Sequence, residues 1–299
     1  MSEADVSRLI RESAMRWLDG RRADLMSQAE LSEFVYAGHR LPLMDRQRGI
    51  RKPTTMRAAL SIRTVYTEPG KRPPYEDAEG DDGLIRYKYR GEDPMHAENR
   101  ALRRAYLDGL PLLWFVGVAP SLYHPLYPVW IVGDEPNALQ FVIAVDQGQR
   151  LVNPGDDIAA DTKRYVETLN KVRLHQPLFR ARVLTAYQSR CTLCRLRHPE
   201  LLDAAHIIAD GLPHGDPIVP NGLAMCKIHH AAFDLNIIGV RPDHIVEIRA
   251  EVLHEIDGPM LKHGIQDMDG QKIMTPSSRH TRPDPERLEE RYAAFQASA

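Results

Sequence analysis

RCTLCRLRHPELLDAAHIIADGLPHGDPIVPNGLAMCKIHHAAFDLNIIGV, running from Arg190 to Val240, is the stretch on which the reading of this chain turns. It holds all three cysteines, Cys191, Cys194 and Cys226, and five of the thirteen histidines. Cys191-x-x-Cys194 and Cys226-x-x-His229 are two half-sites. The two-residue spacer lets one tight turn aim two donors at one tetrahedral zinc ion. His230 could stand in for His229 as the fourth ligand, although the C-x-x-H spacing favours His229. A metal held this way would supply folding energy directly to a segment with little regular structure.

Around that frame lie His206, in the apolar run LLDAAHII, Asn221, at the start of the returning segment, and His230, in a stretch of helical pattern from Lys227 to Phe233. A strand hairpin followed by a helix would gather the three. C-x-x-C, AAHI, PNGL and CKIHHAAFD in one window resemble the HNH (ββα-metal) nuclease family. KIHHAAFD and the RVLTAY…C-x-x-C run are similar to those of bacterial HNH endonucleases with a longer N-terminal domain. In that family the first-strand histidine is the general base that activates water, and the asparagine orients it. The helix histidine binds a divalent ion that stabilises the leaving 3′-oxygen. The resemblance therefore implies these roles for His206, Asn221 and His230, with Mg²⁺ or Mn²⁺ as the catalytic ion beside a structural Zn²⁺. The chemistry is consistent, since phosphodiester cleavage needs a base near neutral pH and a cation for the departing oxygen.

A second ligand to the catalytic ion is expected. Asp234 stands four residues from His230 and so on the same helix face. Many family members carry His or Asp immediately before the base, whereas here that position is Ala205. Either Asp203, on the same strand face as Ala205, substitutes, or His230 and Asp234 hold the ion more openly.

The length of 299 residues allows two domains, each with its own core. Hydrophobic content of 43% with 27% charged residues indicates a globular chain. No run reaches the length of a membrane span, and the charged, amphipathic N-terminus is not of signal-peptide type. So few cysteines make a poor disulfide framework, which implies a reducing, cytoplasmic setting. The net charge of −2 does not announce nucleic-acid binding. Its distribution does more: between Lys163 and Arg197 there are nine Lys or Arg against the single acid Glu167. That local excess, which includes Arg180 and Arg182, suits a polyanion beside a metal centre.

The rest of the chain predicts an α+β fold: a domain over 1–150 built on a curved sheet, and a nuclease domain over 160–299. A helix is expected over residues 1–30, an extended piece at Ser32–Tyr36, and a strand with Leu60, Ile62 and Thr64 alternating. A Pro/Asp/Gly-rich surface loop follows at 71–83. Further strands are expected from Leu84 to Tyr89, Leu112 to Val118, Pro128 to Val132 and Leu139 to Val145, with a helix from Asn99 to Leu107. Residues 147–160 read as a linker, 161–176 as a basic helix, and FRARVLTAYQSR as a helix on the zinc frame. Ile245 to Leu253 alternates as a strand, and a charged helix from near Pro285 ends the chain as a packing or dimer element.

Over 48–118 the order strand, YRG, loop, Asn-x-Ala-Leu helix and Pro-led hydrophobic strand is similar to the SRA fold of the PUA-like superfamily, which recognises modified cytosine flipped out of DNA. That resemblance implies a base-stacking role for Tyr87, Tyr89, Tyr123 and Tyr127, since a flipped base needs π faces above and below it. Joined to the nuclease motif, it implies a restriction enzyme that cuts double-stranded DNA near 5-methylcytosine or 5-hydroxymethylcytosine, working as a homodimer. Two other readings stay open: a nuclease whose N-terminal domain senses a ligand or partner, and a non-catalytic zinc-dependent DNA-binding protein.

Overall fold

A computed structural model describes residues 3–21, 24–68, 78–156 and 159–298. It divides into two compact units, Met1–Pro177 and Leu178–Ala299. Residues 71–77 of the expected loop and 157–158 of the expected linker lie outside the described residues.

In the first unit, α1 (Glu3–Arg21) buries Ile10, Ala14 and Leu18, one residue per turn on a single stripe. Short strands β1 (Met26–Ser27), β2 (Val35–Tyr36), β3 (His39–Arg40) and β4 (Ile50–Arg51) lead to β5 (Ser61–Thr64). Next come β6 (Ala78–Glu79), β7 (Ile85–Lys88), α2 (Ala97–Leu107), β8 (Leu112–Ala119), β9 (Leu122–Glu135) and β10 (Gln140–Ala144). The main sheet runs β4-β5-β8-β9-β10-β7-β6, with β1 added to β9. All its pairings are antiparallel except β5 with β8. The expected strand at Pro128–Val132 is part of the much longer β9. Up to Val129 this strand pairs with β8, and from Trp130 onward with β10, which curls the sheet into a half-barrel. The apolar run of β8 is buried almost throughout because both its faces are covered. Leu113 and Phe115 pack with α1 and Phe34 in one core cluster.

The YRG and Asn-x-Ala-Leu motifs hold this unit together. Asn99, fully buried on α2, accepts from the Arg90 N–H and donates to the Arg90 and Asp93 carbonyls, which fastens the turn after β7 to the helix. Tyr89 bonds Asp134 through its hydroxyl, and Arg103 donates to that same oxygen at 3.0 Å.

The units divide between Pro177 and Leu178 rather than within 147–160. α3 (Ala160–Asn170) belongs to the first unit: Val166 is buried with Leu84 and Val142, and Asn170 donates to the Gly83 carbonyl and to Glu79. A π-helical turn, Lys171–His175, follows α3 and passes into α4 (Gln176–Ala186). Pro177 has no N–H to give and its ring crowds the carbonyl four residues back, so the ladder opens one turn ahead of it.

The second unit contains β11 (Leu202–His206), β12 (Gly222–Cys226), α5 (Lys227–Asp234), β13 (Ile238–Val240) and β14 (Val246–Ile248). α6 (Ala250–His254), α7 (Pro259–Gly264) and α8 (Pro285–Ala297) complete it. The expected strand from Ile245 to Leu253 is shorter than its alternation: it ends at Ile248, and Arg249 starts a helical turn. α8, capped by Asp284, lays Leu288 into this unit's core and buries Phe295 against Gly239, and the Arg291 guanidinium lies 4.5 Å over the Phe233 ring.

Candidate active site

β11 and β12 form a hairpin in which Leu202 faces Cys226, Asp203 faces Met225 and His206 faces Gly222. α5 starts at the residue after Cys226. The expected strand, strand, helix order is therefore present, and it presents two groups of side chains.

Cys191, Cys194, Cys226 and His229 place one donor atom each within 4.8 Å of all the others. His229 Nδ1 lies 3.3 Å from Cys191 Sγ and 3.2 Å from Cys226 Sγ. Tetrahedral zinc, with ~2.3 Å bonds to sulfur and ~2.0 Å to nitrogen, requires S···N separations of roughly 3.5 Å, so the donors fit the ion. The electrostatics agree. Burial pushes the His229 proton affinity down, yet Cys191 and Cys226 outweigh it and raise it to about 10, so the sulfur-lined hole favours positive charge. His229 Nε2 donates to the Gly264 carbonyl at 2.7 Å, which fixes the tautomer that leaves Nδ1 for a metal. Of the two adjacent histidines, it is His229 whose nitrogen lies with the three sulfurs. Gly264 carried no signal in the sequence, because only a backbone carbonyl at the end of α7 is used.

The knuckle is tied to the hairpin by the Thr192 N–H on the Ala224 carbonyl at 2.6 Å. The local chain reverses at Arg195, whose φ is +65°.

His206 ends β11, half-buried, and its imidazole stacks on the Phe179 ring of α4 with centroids 4.0 Å apart and planes at 20°. Gly222, opposite it, makes that approach possible. A Cβ there would meet Val183 Cγ2 at 2.4 Å and the Phe179 ring at 3.0 Å. The sequence shows Phe179 only as part of an apolar stripe on the helix packed against the zinc frame, with no sign of the stack on His206, and Gly222 only as a member of PNGL.

Asn221 is fully buried and works on the backbone rather than on the imidazole. It accepts from the Ile208 N–H at 2.9 Å, and donates to the Ile208 carbonyl at 3.0 Å and the Asp216 carbonyl at 3.1 Å. It thus ties together the ends of the loop between the two strands, two residues beyond His206.

His230 sits between two carboxylates. Its Nδ1 is 3.8 Å from Asp203 and its Nε2 is 3.3 Å from Asp234. Asp203 also receives Lys227 Nζ at 2.9 Å and has Arg180 Nε at 3.7 Å. Its partial burial disfavours charge, but the Lys227 bond and the charges of Lys227, His230 and Arg180 outweigh this and hold the carboxyl below its ordinary range. Asp234 is largely exposed. Arg180 gives its guanidinium to the Pro199 and Leu202 carbonyls and is spent on the hairpin; Arg182 stands half-buried on the same helix.

The proposed stacking tyrosines are placed differently from expectation. Tyr87, Tyr89 and Tyr123 are 6%, 2% and 6% exposed. The Tyr87 hydroxyl bonds the Gly49 and Arg63 carbonyls, and Tyr123 lies in the α1 core. Tyr127 packs against that core and bonds Asp19 at 3.0 Å. Sheet packing consumes the π faces that a flipped base would need.

Residues 191–241 match the family model described as HNH endonuclease, so this segment is an HNH endonuclease domain and the chain is a nuclease. No curated protein matches the chain. Among solved structures, it is similar to a modification dependent TagI restriction endonuclease (TM-score 0.29, 18% identity, covering 83% of this chain and 85% of that one). It is also similar to the type IV phosphorothioation-dependent restriction endonuclease ScoMcrA (TM-score 0.23, 15% identity, covering 63% and 48%). Among the described residues, no helix is long and apolar enough to cross a membrane.

Proposed function

We propose that the chain is a metal-dependent DNA endonuclease in which His206 is the general base and His230 with Asp234 holds a divalent ion. The observation that carries this reading is the HNH hairpin and helix, with His230 between two carboxylates and separate from the Cys₃His set. One imidazole nitrogen can bind an ion while the other donates to a carboxylate. Asp203, already neutralised by Lys227 and Arg180, suits the orienting role on Nδ1. Asp234, exposed beside Nε2, suits the ligand role, which answers the gap at Ala205. A bound Mg²⁺ or Mn²⁺ would act as a Lewis acid toward the departing 3′-oxygen. His206 takes the proton from the attacking water, Phe179 holds its ring in plane, and Asn221 fixes the backbone from which it projects. Zn²⁺ is assigned to Cys191, Cys194, Cys226 and His229.

We further propose that the first unit selects the DNA, with modified cytosine as its target and Arg182 as a contact to the duplex. The support is the curled sheet and the YRG and Asn-x-Ala-Leu order, not the four tyrosines. Cutting both strands with one such site per chain implies a homodimer. Matched duplexes carrying cytosine, 5-methylcytosine or 5-hydroxymethylcytosine, incubated with the protein and Mg²⁺ or Mn²⁺, provide the test. Cleavage confined to a modified duplex is expected. Equal cutting of all three would remove the modification dependence, and no cutting under any metal would remove the nuclease assignment.

A further inference from the structure

The first unit contains a cavity of about 270 Å³ between the start of α1, the segment before β5 and the end of α2. Three arginines from these three segments line it, Arg8, Arg57 and Arg104, and all are exposed at their surfaces. The carboxylate among the lining residues, Asp108, is paired with Arg104 at 2.7 Å. Ser7 also lines the cavity; it is 8% exposed, and its hydroxyl has no hydrogen-bond partner among the described residues. A buried hydroxyl left unbonded is destabilising, so one that faces a cavity is readily explained by a ligand acceptor.

One turn further along the same face of α1, Arg11 is fully buried. It donates to the carbonyls of Ala59 at 2.6 Å and Pro111 at 2.9 Å, while its Nε has no partner. Burial lowers its pKa to about 10, with Asp108 opposing the shift. Among the described residues this enclosed cation has no carboxylate in hydrogen-bond contact, and the α1 N-terminus adds partial positive charge beside it.

We propose that this cavity binds a phosphate group, either a phosphodiester of a DNA strand or the phosphate of a free nucleotide. Arginine guanidinium groups match phosphate oxygens: Arg8 and Arg57 reach the cavity from two segments, Arg104 reaches it while shared with Asp108, and the Ser7 hydroxyl donates to one of the oxygens. The size suits a phosphate with part of the sugar attached, not a stacked base pair. The inference does not depend on the nuclease chemistry, since nothing in the cavity reacts.

Two measurements on the full-length zinc-loaded protein, without added catalytic metal, test it. One compares Tm in inorganic phosphate, in AMP and in chloride at matched ionic strength. The other titrates a short labelled duplex by fluorescence anisotropy at several salt concentrations. The variants are Arg57→Gln, Arg8→Gln and Ser7→Ala. The first two alter exposed side chains, and Ser7→Ala removes no charge. A DNA phosphate predicts about fivefold weaker duplex binding for each arginine variant, with the salt slope reduced by about one, and weaker binding for Ser7→Ala as well. A free nucleotide predicts that phosphate or AMP raises the wild-type Tm by a few degrees and not that of the variants, with duplex affinity unchanged. If Ser7→Ala behaves as wild type toward all three probes, the arginines are a solvated charged face and the proposal is overturned.

Discussion

Residues 191–241 and residues 85–103 are both dense in chemically capable side chains, yet the fold uses them in opposite ways. In the first stretch Cys191, Cys194, Cys226 and His229 bring their donor atoms within 4.8 Å of one another, and His230 is set between Asp203 and Asp234. In the second, Tyr87, Tyr89, Asn99 and Arg103 are consumed by the sheet and the turn that follows β7. Spacing identifies a metal site because tetrahedral geometry admits few arrangements. A tyrosine on a strand satisfies a stacking platform and a sheet core equally well, so the same kind of pattern decides much less.

The largest expected effect separates the units by what stabilises them. Cys191→Ser removes a fully buried ligand from the Cys₃His set. Structural zinc contributes about 10–16 kcal/mol in small domains, so the second unit should lose its cooperative transition while the first keeps its own. Calorimetry with zinc analysis reads this directly. Two unchanged transitions with full zinc content would show that the second unit stands on its apolar core alone.

Next comes the chemistry. His206→Ala should lower cleavage by about 10²–10⁴-fold, the range of general acid–base contributions, with zinc content and Tm retained. A smaller effect sits one residue across the hairpin. Gly222→Ala pushes a methyl to within 2.4 Å of Val183 and 3.0 Å of Phe179, an overpacking worth about 1–3 kcal/mol. Because Phe179 carries the His206 ring, turnover should fall more than stability. Full turnover in a destabilised variant would separate the stack from catalysis.

Legibility followed the same division. The hairpin, α5 and the two ligand pairs were readable because apolar alternation, two-residue spacers and a helical stripe each have one cheap solution. The C-x-x-H spacing already favoured His229 over His230, but the Gly264 carbonyl that holds its ring was not readable, since any residue can offer a carbonyl. For Asn221 the resemblance implied a role in orienting His206, and the backbone clasp that its side chain makes with Ile208 and Asp216 was not readable. In the first unit the buried strand β8 was plain from its composition. The partner change along β9 was hidden because pairing partners are set by distant residues, and the attachment of α3 to the first unit was hidden because its charged sequence looks like a solvated helix until Val166 and Asn170 find their contacts on the sheet.

Acid should part the units once more, by a smaller margin. In the first unit Asp82, 4% exposed, receives both Arg86 guanidinium nitrogens and the N–H groups of Leu84 and Gly155. Burial works against its charge, but these donors outweigh it and hold the carboxyl below its ordinary value. A carboxyl lowered on folding adds stability above its unfolded pKa, about 3.9, and that stability is lost as pH falls through the lower folded value. Asp203 is lowered in the same direction in the second unit, but it is about one-third exposed and solvent weakens its contribution. With zinc on the Cys₃His set, acid would act there chiefly by competing with the metal for its ligands, at higher pH than carboxylate protonation. An acid titration followed by calorimetry should therefore remove the second unit first. Asp82→Asn should destabilise only the first, by about 3 kcal/mol, and flatten its dependence on pH below about 4.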